Sequence, residues 1–181
     1  MSDPIFQRLT NLPFPLKDSQ CVWHKDEILI CGGPEERKCY SYHTYTRKYK
    51  EICWYPFEVT LDGHCVVKLE DINKNNDSDH ITLLSFGFSS RGMHRHTLVM
   101  KYVSVWDNPK KLKKPEFCNT WYFLNDSHQL KIIIGKNEDY QGVRAVIGNG
   151  LLFITYPRNN ISVFDLYRHQ FIKHAILPVF K

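Results

Sequence analysis

Three stretches of this sequence open alike, and recurrence at intervals of roughly 40 to 50 residues constrains the fold more than any bulk property does. DSQCVWHKDEILICGG runs from Asp18 to Gly33, and DGHCVVKLEDI starts at Asp62. GVRAVIGNGLLFITYP runs from Gly142 to Pro157. Each reads as a turn, a short apolar strand, a polar turn and a second apolar run. The middle copy carries a polar insertion around Asn73 to Asp79 before resuming as Ile81 to Gly87. The first and third copies align without a gap, and Cys21, Cys65 and Ala145 coincide in the alignment.

A second pair of extended segments follows each hairpin, rich in β-branched and aromatic residues that suit a pleated, half-buried surface. In the first copy these are Cys39 to Tyr45 and Tyr49 to Cys53; in the third they are Ile161 to Leu166 and Gln170 to Ile176. The second copy offers His96 to Trp106 and Asn119 to Leu124, separated by a lysine-rich loop. Tyr42 precedes Tyr49 by seven residues, and Phe164 precedes Phe171 by the same interval, which predicts a shared strand register. No window carries apolar residues at helical spacing over three turns, so the chain is expected to be all-β. A four-stranded antiparallel unit buries its faces only by stacking on neighbours, which is the logic of a propeller.

At 181 residues, 43% hydrophobic and 14% aromatic, the chain has the apolar content to build a core. Lysine and arginine exceed aspartate and glutamate by 24 to 19, a mild excess that allows nucleic acid without indicating it. The first 20 residues lack the basic and then apolar pattern of a secretory signal, and no long apolar run reads as a membrane span. A cytoplasmic protein with no membrane association is expected. The six cysteines fall at irregular spacing, most in or beside apolar segments, so reduced thiols are expected in place of a disulfide framework.

These motifs resemble the kelch repeat. In that family an apolar strand ends in a glycine doublet, and a tyrosine is followed about seven residues later by a tryptophan that packs between blades. Here Gly32 and Gly33 form the doublet, Tyr42 takes the tyrosine place and Tyr49 the tryptophan place. The second unit keeps Gly87, and Gly63 with His64 resembles the family's small-residue and histidine opening. The third has Tyr156-Pro157 for the doublet, a change that must alter that turn, with Phe164, Asp165 and Phe171 at the later positions. The resemblance implies a partial kelch-like β-propeller of about three four-stranded antiparallel blades. Its divisions are a lead-in over residues 1–17, a first blade over 18–61, a second with insertions over 62–125, and a third with a C-terminal strand over 126–181. A WD40-type scaffold propeller is the rival, on Gly63-His64 and Trp106-Asp107. Three blades fall short of the four or more that usually close a ring, so further blades or self-association would complete it.

Candidate chemistry is sparse. His94 and His96 form an H-x-H pair that would share one strand face, but Arg91 and Arg95 beside them disfavour a cation, and a solvated strand entrance is the expected reading. Lys110, Lys111, Lys113 and Lys114 read as a solvated loop able to touch phosphate. Tyr45, at an expected loop, is the best surface candidate in the aromatic stretch from Tyr40 to Tyr55. The chain has no glycine-rich phosphate loop, no G-x-S-x-G elbow and no persuasive cysteine, histidine and acid set. What the resemblance implies is a non-catalytic protein-interaction module with no cofactor, binding an unidentified protein partner through loops on one rim. The surface would include Tyr45, Arg91, His94, Arg95 and the four lysines. A kelch-fold oxidase or isomerase is the alternative from a different class.

Overall fold

The computed structural model describes residues 9–69, 80–89, 92–107 and 117–178. Among these the chain is all-β, with three four-stranded antiparallel sheets and no helix, so no helix is long and apolar enough to cross a membrane. Sheet one contains β1 (Gln20–His24), β2 (Glu27–Gly33), β3 (Glu36–His43) and β4 (Lys48–Trp54). Sheet two contains β5 (Cys65–Leu69), β6 (His80–Ser89), β7 (Gly92–Val103) and β8 (Tyr122–Phe123). Sheet three contains β9 (Arg144–Gly148), β10 (Leu151–Tyr156), β11 (Asn160–Asp165) and β12 (Gln170–Ile176). In each, strands pair in chain order.

The gap-free alignment of the first and third copies is visible in the pairing. β1 and β2 run from Gln20 opposite Cys31 to His24 opposite Glu27. β9 and β10 repeat that register from Arg144 opposite Thr155 to Gly148 opposite Leu151. The seven-residue intervals resolve into direct cross-strand pairs, with Tyr42 opposite Tyr49 and Phe164 opposite Phe171. Their ring centroids are 4.8 and 5.1 Å apart, the separation at which aromatic neighbours on one sheet face interact.

β1 lies against β5 and β5 against β9, so the first strand of each sheet is innermost and the arrangement is propeller-like. Sheet two is sandwiched, because alternate residues of a strand point to opposite faces. Towards sheet one it presents Val66, Leu83, Leu98, Met100 and Tyr102, which pack with Val22, Leu29, Cys31 and Cys39. Towards sheet three it presents Cys65, Val67, Leu84 and Phe86, which pack with Leu152, Ile154 and Phe164. Each fully buried Leu, Ile or Phe contributes about 1.5 to 3 kcal/mol of transfer free energy, so these two seams hold the sheets together.

The alignment of Cys65 with Cys21 and Ala145 is out by one. Cys65 points towards sheet three, whereas Ala145 packs back towards sheet two, on the opposite face of its own sheet. The counterpart of Ala145 is Val66, because β5 begins one residue later than the alignment places it. The strand bounds also differ, most of all in sheet two. β7 runs from Gly92 to Val103, not His96 to Trp106, and its end is turned by Ser104, whose Oγ accepts from Trp106 N at 3.1 Å. β8 shrinks from Asn119–Leu124 to two residues. There the Asn119 side chain takes the place of backbone pairing, accepting from Val103 N at 2.8 Å and donating to Val103 O at 3.0 Å.

The glycine doublet ends β2 where space is short. Gly32 sits at φ +54°, and a Cβ there would lie 2.3 Å from Leu61 Cδ1; one on Gly33 would lie 2.4 Å from Lys17 O. In sheet three, Tyr156-Pro157 gives a different turn with Arg158 and Asn159 at positive φ, and the sheet retains all four strands. The lead-in crosses the outer strands of sheet one: Tyr49 Oη donates to Thr10 O at 3.1 Å, and Lys38 Nζ sits 4.3 Å above the Phe14 ring.

Candidate interaction surface

The β3–β4 turn is held by its own hydrogen bonds. Thr44 donates to Asp26 O through both its N–H, at 2.9 Å, and its hydroxyl, at 3.0 Å, tying this turn to the β1–β2 turn. Arg47 N donates to His43 O at 2.8 Å and Thr46 N to His43 Nδ1 at 3.4 Å. Tyr45 at the tip is 78% exposed. Its ring centroid lies 6.2 Å from that of His43, which meets Trp106 edge-on at 5.2 Å. Lys50 Nζ caps the Trp106 ring at 4.4 Å while donating to Val105 O at 3.0 Å. The result is a continuous strip of Tyr45, His43, Trp106 and Lys50 across the junction of sheets one and two.

A buried network anchors the strip. Trp106 Nε1 donates to Ser41 Oγ at 2.9 Å, and Ser41 Oγ donates to Glu27 Oε2 at 2.5 Å. The Tyr102 hydroxyl donates to the same Glu27 oxygen. Glu27 is buried, so these hydroxyls replace the water that its carboxyl group loses. Burial, and then the bond to Glu27, push the Tyr102 hydroxyl well above the ordinary phenol range. Beside it His24 meets the Tyr102 ring edge-on at 6.0 Å. Burial first, then Lys68 and Lys25, lower its pKa.

A second polar seam lies nearer the other end of the same inter-sheet core. Tyr55 Oη donates to Ser85 Oγ at 3.0 Å, and Ser85 Oγ pairs with His96 Nε2 at 3.2 Å. His64 Nε2 sits 3.1 Å from Cys31 O, and the two histidine rings are 6.3 Å apart. Both Nδ1 atoms are buried without a hydrogen-bond partner. Burial lowers the pKa of His64 to about 4 and, with His64 adding repulsion, that of His96 to about 3. Tyr55, stacked on Trp121 at 4.8 Å, is pushed well above the ordinary phenol range, chiefly by burial. These groups are buried, so they act on packing and on the acid response.

The strip contains one sequence-predicted surface residue, Tyr45. His96 is not at a solvated strand entrance: β7 begins four residues before it, which places it inside the core. Arg95 lies at the opposite end of β7 from Trp106, about 25 Å along the strand to Val103 at the usual rise. There it donates to Glu138 O at 3.4 Å and, with Glu58, His96 and Lys131, lines a cavity of about 130 Å³. His94 falls within β7 but its side chain, like Arg91, Lys110, Lys111, Lys113 and Lys114, lies outside the described residues.

Among the motif residues, Gly63 sits at φ +66° against Gly142, whose N–H donates to Gly63 O at 3.0 Å. Gly87 lets the His64 backbone approach to 2.7 Å from where a Cβ would sit. Asp165 caps its turn by accepting from Tyr167 N and Arg168 N at 2.8 and 2.9 Å, which holds its carboxyl below the ordinary range. Sequence reasoning missed His43 and Lys50. Trp106 drew notice only for the aspartate after it. Their shared signal was alternation on strands that meet across two sheets, visible only once the sheets are placed.

No family model matches the sequence, and no curated protein matches it. Among solved structures the chain is similar to that of YjhT, with a TM-score of 0.57 and 15% sequence identity. The match covers 94% of this chain and 53% of YjhT, so the chain spans about half the length of that protein. At this identity the likeness is one of fold.

Proposed function

We propose that this chain is a non-catalytic protein-interaction module of kelch-repeat type, which binds a partner through the rim carrying Tyr45, His43, Trp106 and Lys50. The observation that carries this reading is the anchored strip itself. Tyr45 is exposed beside a half-buried Trp106 that the buried network holds in place, and aromatic side chains with few rotatable bonds lose little entropy on contact and are favoured in binding hot spots. The cation over Trp106 suits the strip to a partner segment offering a carboxylate beside an apolar side chain. Support for the kelch assignment comes from the tight site of Gly32 and Gly33 and from the Tyr42–Tyr49 and Phe164–Phe171 pairs. All six cysteines are free, which fits the reducing cytoplasm.

Affinity capture tests this reading, comparing the wild type with Tyr45→Ala and with Lys50→Glu by quantitative mass spectrometry. A partner that is enriched by the wild type and lost by at least tenfold from both variants, at unchanged melting temperature, is the expected result. Identical capture by all three overturns the assignment of this rim.

A further inference from the structure

Three cysteines spaced irregularly along the chain fall into one row across sheet one. Cys31 on β2 stands directly opposite Cys39 on β3, and Cys39 stands directly opposite Cys53 on β4. Opposed residues of an antiparallel ladder point to the same face, and here that face is the one packed on sheet two. The sulfurs meet there. The Cys31 and Cys53 thiols each share a hydrogen bond with Cys39. Trp121 Nε1 donates to Cys39 Sγ at 3.4 Å, and Cys53 Sγ also reaches Met100 Sδ at 3.6 Å. Cys21, Cys65 and Cys118 lie outside the row.

The two pairs within the row are not equivalent. Among the described residues β2 and β3 are flanked by strands on both sides, whereas β4 is bonded to β3 alone. The register shifts between Cys39 and Tyr40, so a bulge adjoins the Cys39–Cys53 pair and loosens the ladder there. Cys31 and Cys39 are fully buried, and Cys53 is half-buried. A small reagent arriving from solvent therefore meets Cys53 first, with Cys39 directly behind it. Opposed residues hold their Cα atoms about 4.5 to 5.5 Å apart, inside the range of about 4.4 to 6.8 Å that a disulfide spans. A slight closing of the Cβ atoms completes the bond, and the bulge allows it. Burial by itself would raise the Cys39 pKa, but bonds from Cys31, Cys53, Trp121 and Gly32 outweigh it and hold Cys39 well below the ordinary thiol. Cys53 is pushed above that range, first by its hydrogen bond to Cys39 and then by burial. A proton passing along that same hydrogen bond gives Cys53 the thiolate character that oxidation requires.

We propose that Cys53 and Cys39 form an oxidation site for hydrogen peroxide, which converts them into a cross-strand disulfide. Cys53 Sγ attacks one peroxide oxygen; the S–O bond forms as the O–O bond breaks, and the released hydroxide takes the Cys53 proton as water. Cys39 Sγ then attacks Cys53 Sγ. The S–S bond forms as the S–O bond breaks, and the second hydroxide leaves as water with the Cys39 proton. In sum two thiols and one peroxide give one disulfide and two waters, with two electrons passing from sulfur to oxygen. The bond closes the β3–β4 hairpin that carries Tyr45 at its turn, and the inference is independent of what that rim binds.

The test treats the reduced full chain with hydrogen peroxide near neutral pH, alkylates the remaining thiols, and maps the products by proteolysis and mass spectrometry without reduction. A Cys39–Cys53 link is expected as the main product, with wild-type circular dichroism retained and the link reversed by dithiothreitol. Cys31→Ala should keep that link, and Cys53→Ser should lower the yield of any link to Cys39 by about tenfold or more. In urea, where the strand register is gone, the preference for this pair should disappear. Links made mainly through Cys21, Cys65 or Cys118 overturn the proposal. So does sulfinic acid at Cys53 without a disulfide, oxidation confined to Met100, or a row left reduced while the exposed Cys21 is oxidised. Should either variant fail to fold, the wild type in buffer and in urea decides, and an equal preference for the pair in both overturns the geometric argument.

Discussion

Mild acid should loosen this protein in a way set by two residues. His64 and His96 are buried in one seam with their Nδ1 atoms unpartnered, and their folded pKa values lie near 4 and 3 against 6.5 for the free side chain. Both folded values are depressed, so above pH 6.5 the two states hold the same protons. As pH falls below 6.5 the unfolded chain takes up protons that the folded chain refuses, and stability is lost progressively until pH reaches the folded values. At about pH 5 the loss is about 2 kcal/mol for each ring and about 4 kcal/mol for the pair, from about 1.4 kcal/mol per pH unit. His24, whose pKa is also lowered, acts in the same direction.

Urea unfolding followed by tryptophan fluorescence measures this directly. A 4 kcal/mol loss moves the midpoint down by roughly 2 M for a slope of about 2 kcal/mol/M. His96→Gln, which can still reach Ser85, should show about half of that displacement. Coincident midpoints at about pH 7.5 and about pH 5 would refute the reasoning, because they require the seam to accommodate imidazolium.

Other outcomes follow from single contacts. Gly63→Ala places a Cβ 2.4 Å from Gly142 N at a φ of +66°, and should lower stability by about 2 to 4 kcal/mol in thermal unfolding. Gly148→Ala, where a Cβ meets open space, should stay within about 0.5 kcal/mol of wild type. Glu27→Ala strands the Ser41 and Tyr102 hydroxyls and should cost about 2 to 4 kcal/mol in denaturant midpoint analysis, while also broadening the Trp106 environment seen by fluorescence. Phe86→Ala empties a fully buried site between sheets two and three, and calorimetry should report a loss of about 3 to 5 kcal/mol.

Much of the architecture was legible because it depends on local patterns. A gap-free match between two copies means equal turn lengths and therefore equal registers, and the Tyr42–Tyr49 and Phe164–Phe171 intervals encode direct cross-strand pairs. The match at Cys65 misled because residue identity outweighed face. A one-residue slip reverses every side chain of a strand, and only packing against sheets one and three reveals it. β8 was expected too long for another reason: the Asn119 amide imitates a backbone pairing partner, and apolar periodicity does not register such a substitute. The candidate surface was legible at Tyr45 alone. His43, Lys50 and Trp106 come together from β3, β4 and the segment after β7, a juxtaposition that sequence spacing does not express.

The position of sheet two between separate hydrophobic seams makes it the keystone of the molecule. Either flanking sheet can detach while the other seam stays closed, but nothing can leave the middle without opening both. Amide exchange should therefore be slowest along the long β6–β7 ladder and quicken towards β1 and β12, a gradient of opening free energies spreading outward from the centre of the chain.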